Sequence, residues 1–340
     1  MIQTVLGPID PADLGTTLAH EHALIDLRCL LEPPADPEMQ WLVDRPVDAG
    51  SRIALQERPY ASKDNLLLQS EEQAALELQA FRDAGGRALI DLTVDGIGPD
   101  ASALRRLATR TGLHIVAGVG IYRAIAHPAW VRTAGVADLA DYFIKRLQVG
   151  IDSSDVRGGV LGEIGTSSPL HPDEIKVLRA AARAHRETGV PINVHPAIWH
   201  REGPRILDIL AAEGVDLRRV ALSHMDELLD YDYHCALAVR GAFLSFDTFG
   251  SEFYFADEDA REPTDRERLS ALLRLLAAGW AGQILVSQDV CTKLQLTRYG
   301  GKGYAHVLRS VVPALEASGV SAETIHELLV VNPRRFLAGT

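Results

Sequence analysis

The feature that most constrains this chain is an alternation. Eight short apolar runs recur along it: TLAHEHALI (17–25), ALIDLTV (88–94), HIVAGVG (114–120), GVLGEIG (159–165), INVHP (192–196), VALSHM (220–225), FLSFDT (243–248) and ILVSQD (284–289). Each is nearly continuously apolar and bounded by Gly, Pro or polar residues. A strand with one face in water alternates in polarity; strands buried on both faces of a parallel sheet read as these do. The intervening stretches carry helical spacing. Residues 71–84 place Leu76, Leu78 and Phe81 near one face, and 172–188, 203–213, 265–279 and 304–318 read similarly. Pro172, Asp173 and Glu174 form a good helix start, with proline early and acids in the first turn. Strands alternating with helices predict an α/β chain, a (β/α)8 TIM barrel ahead of an open doubly wound sheet.

One stretch breaks the short-loop pattern. Residues 26–70 separate the first strand from the first convincing helix and hold Pro33, Pro34, Pro37, Pro46 and Pro59. A connection this long in a compact domain is usually functional or carries short helices of its own. Following strand one of a barrel, it would cover the catalytic face as a partial lid. A second domain is not indicated, so residues 1–340 are read as one barrel domain.

Composition narrows the partners. The formal net charge is -12 over 340 residues, 47% of them hydrophobic. That supports a large core and argues against nucleic acid or an anionic membrane as the main partner. The expected partner is a small-molecule substrate. The three cysteines, Cys29, Cys235 and Cys291, show no paired spacing. With no signal-peptide pattern at the start, a reducing cytoplasm is the expected compartment.

The chemistry lies at the strand ends. His20 and His22 share one face of strand one. Glu163 lies near the end of strand four, His195 ends strand five, His224 ends strand six and Asp289 ends strand eight. Barrel enzymes build their active sites at this rim. Any one of these residues alone reads better as structural or solvated. Together they form a ligand set of imidazoles and carboxylates for zinc or a similar divalent ion. Six ligands are too many for one tetrahedral ion. Two ions sharing a bridging carboxylate, about 3.5–4 Å apart, would use them all and activate a water between them.

These residues resemble the phosphotriesterase family of the amidohydrolase superfamily, in its phosphotriesterase-related branch. The resemblance runs the length of the chain, through TVLGPI, AHEH, ASKDNLLL, AGGRALIDLT, GEIGTS, VHP and SHMDE to SQDVCTK, YGGKGYAHVL and LLVVNPRRFL. It implies a distorted (β/α)8 barrel with two metals, hydrolysing esters, lactones, amides or phosphate esters. It further implies that His20, His22 and Asp289 hold the more buried metal and His195 and His224 the more exposed one. Many relatives bridge the metals with a carboxylated lysine on strand four; here Glu163 fills that place, as in the glutamate-using branch.

The resemblance thus favours a binuclear hydrolase that uses a metal-bridging hydroxide to cleave a carboxyl ester, lactone or amide. A phosphotriester-type hydrolase is the alternative within enzymes. A metal-containing binding protein with little turnover is the alternative of another class. Zinc is the first expectation, with manganese, cobalt and iron acceptable to the same ligands. Asp289 is expected to take a proton from the attacking hydroxide. Asp226 is expected to orient a ligand or relay that proton, or merely to cap a helix. Tyr122, just after strand three, is expected to point at the metals or simply to pack. Lys293 and Arg298 are candidate contacts for an anionic group, with solvated surface the plainer role. Gln288, where many relatives have histidine, is expected to point away from the site. The family makes a homodimer plausible.

Overall fold

The computed structural model describes residues 1–339. The apolar runs form eight strands: β1 (Thr17–Glu21), β2 (Ala88–Asp91), β3 (His114–Val119), β4 (Val160–Gly165), β5 (Ile192–His195), β6 (Val220–Leu222), β7 (Phe243–Phe246) and β8 (Ile284–Val286). They lie side by side in sequence order in one sheet, and every neighbouring pair is parallel. The fold is the expected α/β barrel, nearly closed.

Its seam lies between β8 and β1 and is held mainly by side chains. The Asp289 backbone N–H donates to the His20 carbonyl at 3.3 Å. Glu21, fully buried, accepts from the Ser287 hydroxyl at 2.7 Å and from the backbone N–H of Gln288 and Val290 at 3.0 Å each. Burial pushes the Glu21 carboxyl up to about 8, against the pull of those donors.

The continuous apolar runs are explained by two packed layers. Ala88, Ile90, Val116, Val160, Ala221, Phe243 and Leu285 fill the barrel interior together with Phe336. Leu89, Ile115, Leu161, Val194, Leu222, Leu244 and Val286 face the surrounding helices. Strand residues alternate between these layers, and both exclude water.

Helices α1 (Glu71–Asp83), α2 (Ala101–Thr111), α3 (Val136–Gln148), α4 (Pro172–Thr188), α5 (Gly203–Ala212), α6 (Tyr231–Ala238) and α7 (Asp265–Ala277) follow strands one to seven in turn, α1 after the long insertion. After β8 the chain makes a π-turn at Val307–Val311 and an α-helix at Val312–Ala317. On α1, Leu78 and Phe81 are buried as expected, but Leu76 is 63% exposed. Two residues along a helix turn about 200°, so Leu76 and Leu78 cannot share a face.

The 26–70 segment carries short 3-10 turns and one short helix, Arg52–Gln56. It returns to the barrel through an antiparallel pairing of Ile25–Asp26 with Leu67–Leu68. Its Leu27, Leu30 and Tyr60 form part of the pocket wall over the strand ends. Lys293 is tied into this segment, donating to Asp64 Oδ1 at 2.6 Å. Lys293 does not line the pocket. Arg298 is exposed and outside the pocket, and Gln288 turns away to accept from the Val307 N–H at 2.6 Å.

Candidate metal centre

The barrel brings all six expected ligands together. His20 Nε2 and His22 Nε2 are 3.3 Å apart. Asp289 Oδ1 lies 3.5 Å from the first and 3.2 Å from the second. Glu163 Oε2 lies 3.6 Å from His20 Nε2 and 3.0 Å from His195 Nδ1. His195 Nδ1 in turn faces His224 Nε2 at 2.8 Å. Glu163 therefore stands between the two halves, helped by the register of β4 and β5, which pairs Gly165 with His195.

Two of the expected ligands sit on unusual backbone. His224 has φ 57° and Asp289 φ 48°, the left-handed region that non-glycine residues seldom occupy. Such strain persists only where surrounding structure fixes it, and it is common at functional sites. At Asp289 the bond to the His20 carbonyl contributes; at His224 the fixing group is Asp247.

Asp247, just beyond β7, was not among the sequence candidates. Its Oδ2 lies 2.9 Å from His20 Nδ1, and its Oδ1 accepts from His224 Nδ1 at 3.0 Å and from the His224 backbone N–H at 2.8 Å. Ser223 Oγ lies 3.0 Å from His20 Nδ1, and Thr93 Oγ1 lies 2.9 Å from His22 Nδ1. These contacts occupy the Nδ1 atoms and turn three Nε2 atoms inward, the usual way ligating histidines are oriented. The sequence signal was present, because FLSFDT ends strand seven with an acid as SQD ends strand eight.

Asp226 is placed behind Asp247. Its carboxylate accepts from the backbone N–H of Asp247 at 3.2 Å and of Thr248 at 3.0 Å, and it does not line the pocket. It positions the end of β7, and no helix N-terminus is capped by it. Tyr122 is buried against the site, its ring 5.1 Å from that of His195 in an edge-on contact. Burial holds its phenol well above the usual range, so it stays protonated.

The arrangement fits cations. His20, His22 and Glu163 offer donor atoms within 4.8 Å of one another, and so do Glu163, His195 and His224. Ring nitrogens facing each other at 2.8–3.3 Å would repel through their lone pairs unless a positive charge lies between them. Asp289 Oδ1 is buried and has no hydrogen-bond partner among the described residues. Burial opposes charge on the His22 and His224 rings, yet Asp289 lifts His22 to about 9 and Asp247 lifts His224 to about 10. Burial alone dominates at His195, lowered to about 4. Burial also opposes ionisation of Asp289, but His20 and His22 keep it ionised. The carboxylates draw positive charge into this space, and divalent ions would satisfy that demand.

The pocket above the ligands is also lined by Tyr60, Tyr122, Arg123, Glu227, Phe253, Glu262 and Gln295. Arg123, Glu227 and Glu262 are not among the residues singled out from the sequence. Arg123 directly follows Tyr122 and Glu227 directly follows Asp226, so proximity could have suggested both; Glu262, far beyond the end of β7, gave no strand-end signal.

The phosphotriesterase family model matches residues 1–337. The chain belongs to the phosphotriesterase family. An N-acetyltaurine hydrolase of Danio rerio is 36% identical over 340 residues, covering 99% of this chain and 97% of that protein. A resiniferatoxin-binding protein from Rhodobacter sphaeroides is 41% identical and superposes with a TM-score of 0.97, over 99% of this chain and 94% of that one. A lactonase from Listeria monocytogenes is 27% identical, with a TM-score of 0.79 over 99% and 98%. With relatives named as hydrolases and lactonases along its whole length, this phosphotriesterase-family chain is a hydrolase.

Proposed function

We propose that the chain is a metal-dependent hydrolase of a small carboxyl compound, with an amide as the first substrate class and an ester or lactone next. The observation that carries this reading is the convergence of four histidines, Glu163 and Asp289 beneath one pocket, with Asp289 Oδ1 unpartnered. The amide preference follows the N-acetyltaurine hydrolases, which are 35% or 36% identical along nearly the whole chain.

Two divalent ions, zinc first, held by His20, His22 and Asp289 and by His195 and His224 with Glu163 between, would supply Lewis-acid polarisation and a water of lowered pKa. The protein's own groups do the rest. Asp289 side-chain exposure is 17%, against 2% for Glu163, so Asp289 is the ligand carboxylate most open to the pocket. It is placed to accept the proton of the attacking water and pass it to the leaving amine or alcohol. The protonated Tyr122 can donate to the substrate oxygen. Asp247 holds His20 and His224 in the tautomers that leave Nε2 free, and Asp226 holds Asp247.

A panel of N-acetylated amines, lactones and aryl phosphates on metal-replete protein tests the reading. Amide turnover that falls by at least about 100-fold in His224→Ala is expected. Full activity in that variant would overturn the site assignment. The resiniferatoxin-binding neighbour favours a second reading, a binding protein with little turnover. Metal-replete protein that turns over no member of the panel moves that reading forward.

A further inference from the structure

The pocket of a chain with net charge -12 is lined by one arginine and, among the described residues, no lysine. Arg123 stands next to Tyr122, on the wall beside His195. Its Nε is shut off from solvent and has no hydrogen-bond partner among the described residues. An unmet buried donor on a guanidinium is costly, and such groups are normally matched by a carboxylate, phosphate or similar oxyanion. Glu32 feels the charge of Arg123 but makes no ion pair with it among the described residues.

The other polar groups of the wall are mostly committed. Glu227 Oε1 accepts from Arg268 at 2.6 Å and Thr248 at 2.7 Å, though its Oε2 has no partner among the described residues. Glu262 accepts from the Ser251 hydroxyl at 2.7 Å and the Phe253 N–H at 2.9 Å. Gln295 Oε1 is taken by Cys291 and Thr292. Arg123 is the cation of this wall with donor capacity left over.

Its mount is also fixed. The buried Glu174 accepts from the backbone N–H of Ala124 at 2.9 Å, Ser167 at 3.0 Å and His171 at 2.8 Å, and from the Ser167 hydroxyl at 2.8 Å. One carboxylate thereby ties the loop after β3 to the loop after β4 and to the first turn of α4. His127 Nε2 adds a contact to the Tyr122 carbonyl at 3.0 Å. A side chain on so constrained a backbone gives a ligand a fixed point to pair with.

We propose that Arg123 is the anion anchor of the pocket and selects substrates that carry a carboxylate or sulfonate away from the bond that is cut. This rests on the hydrolase reading above and narrows its substrate class to small acidic N-acyl compounds. A bidentate guanidinium–oxyanion pair gives both affinity and orientation.

The test uses metal-loaded protein and two anions with no bond to hydrolyse, ethanesulfonate and propionate, with ethyl methyl sulfone as the uncharged control, followed by ligand-detected NMR titration. Wild type is expected to bind at least one anion in preference to the sulfone, and the preferred anion identifies the headgroup. Arg123→Gln is expected to weaken that anion about 10-fold or more and leave the sulfone unchanged, with Arg123→Lys between them. Thermal melting verifies that each variant is folded. Equal anion binding by wild type and Arg123→Gln, or no anion preference in wild type, overturns the anchor. A kinetic arm compares N-acetyltaurine with N-ethylacetamide. Amide turnover without preference for the acidic substrate sinks the anchor and leaves the hydrolase reading standing. Arg123-dependent anion binding without turnover of any amide keeps the anchor and overturns the amide preference.

Discussion

Asp247 Oδ1 takes two hydrogen bonds from a single residue, the ring Nδ1–H of His224 at 3.0 Å and its backbone N–H at 2.8 Å. The same carboxylate lies 2.9 Å from His20 Nδ1 through its other oxygen. One acid therefore fixes an expected ligand from each half of the candidate centre, and holds His224 at φ 57°. Asp247→Ala is expected to lower metal affinity and hydrolysis by about 10–100-fold, as loss of a ligand-orienting carboxylate typically does. Asp247→Asn should recover only part, because its amide N–H₂ would oppose one of the two ring donors. Metal titration against a competing chelator measures this, and unchanged affinity in Asp247→Ala would show that the ligands hold themselves.

Glu163 is the residue placed to join the two halves. Its Oε2 is 3.0 Å from His195 and 3.6 Å from His20. Elemental analysis of wild type is expected to give about two divalent ions per chain, falling sharply in Glu163→Ala. One ion or none in metal-replete wild type breaks the two-metal reading.

The strand ends made most of this centre legible before any coordinates. His195, His224 and Asp289 close short apolar runs, and a barrel has only one rim where such residues can meet. What stayed hidden depends on contacts between elements. Asp247 showed the same strand-end signal, but only the fold reveals that it faces two imidazoles from β1 and β6. Asp226 was expected near the ligands, yet it acts on Asp247 from behind, a relation set by the bend after β6. Arg123 and Glu262 reach the pocket from loops whose paths no periodicity encodes. Leu76 failed for a simpler reason, since i and i+2 on a helix point apart.

Behind the pocket wall Arg268 is fully buried and faces four acids, Asp226, Glu227, Glu262 and Asp265, the last with Oδ1 3.9 Å from its Nη1. It donates to Glu227 Oε1 at 2.6 Å and to the Ser251 carbonyl, and its Nε lies 3.4 Å from Asp226. The charge of Glu262 also acts on it. Removing one partner of a buried ion cluster leaves the others uncompensated, at about 3–5 kcal/mol. Arg268→Met is expected to lose stability on that scale in urea unfolding. Arg268→Met combined with Glu227→Gln should be less destabilised than the sum of the two single changes. Simple additivity would mean that the acids do not depend on this arginine.

Glu262 should give a distinct pH signature. Burial, reinforced by the nearby Glu227, pushes its carboxyl up to about 8, against the pull of Arg268 and the hydrogen bonds from Phe253 and Ser251. In the unfolded chain it titrates near 4.5. Between those values the folded protein binds a proton that the unfolded chain has released. Its contribution to stability is therefore full below pH 4.5 and is lost as pH rises towards 8. Fully expressed, this one group would cost about 1.4 kcal/mol per pH unit in that window. Glu262→Gln, which cannot ionise, should flatten the decline. Urea unfolding of metal-loaded wild type and Glu262→Gln from pH 5 to 8 measures the difference in slope. Parallel slopes would mean that Arg268 keeps Glu262 ionised in the folded protein, and the acidic side of the pocket would then carry a full negative charge facing any anionic substrate.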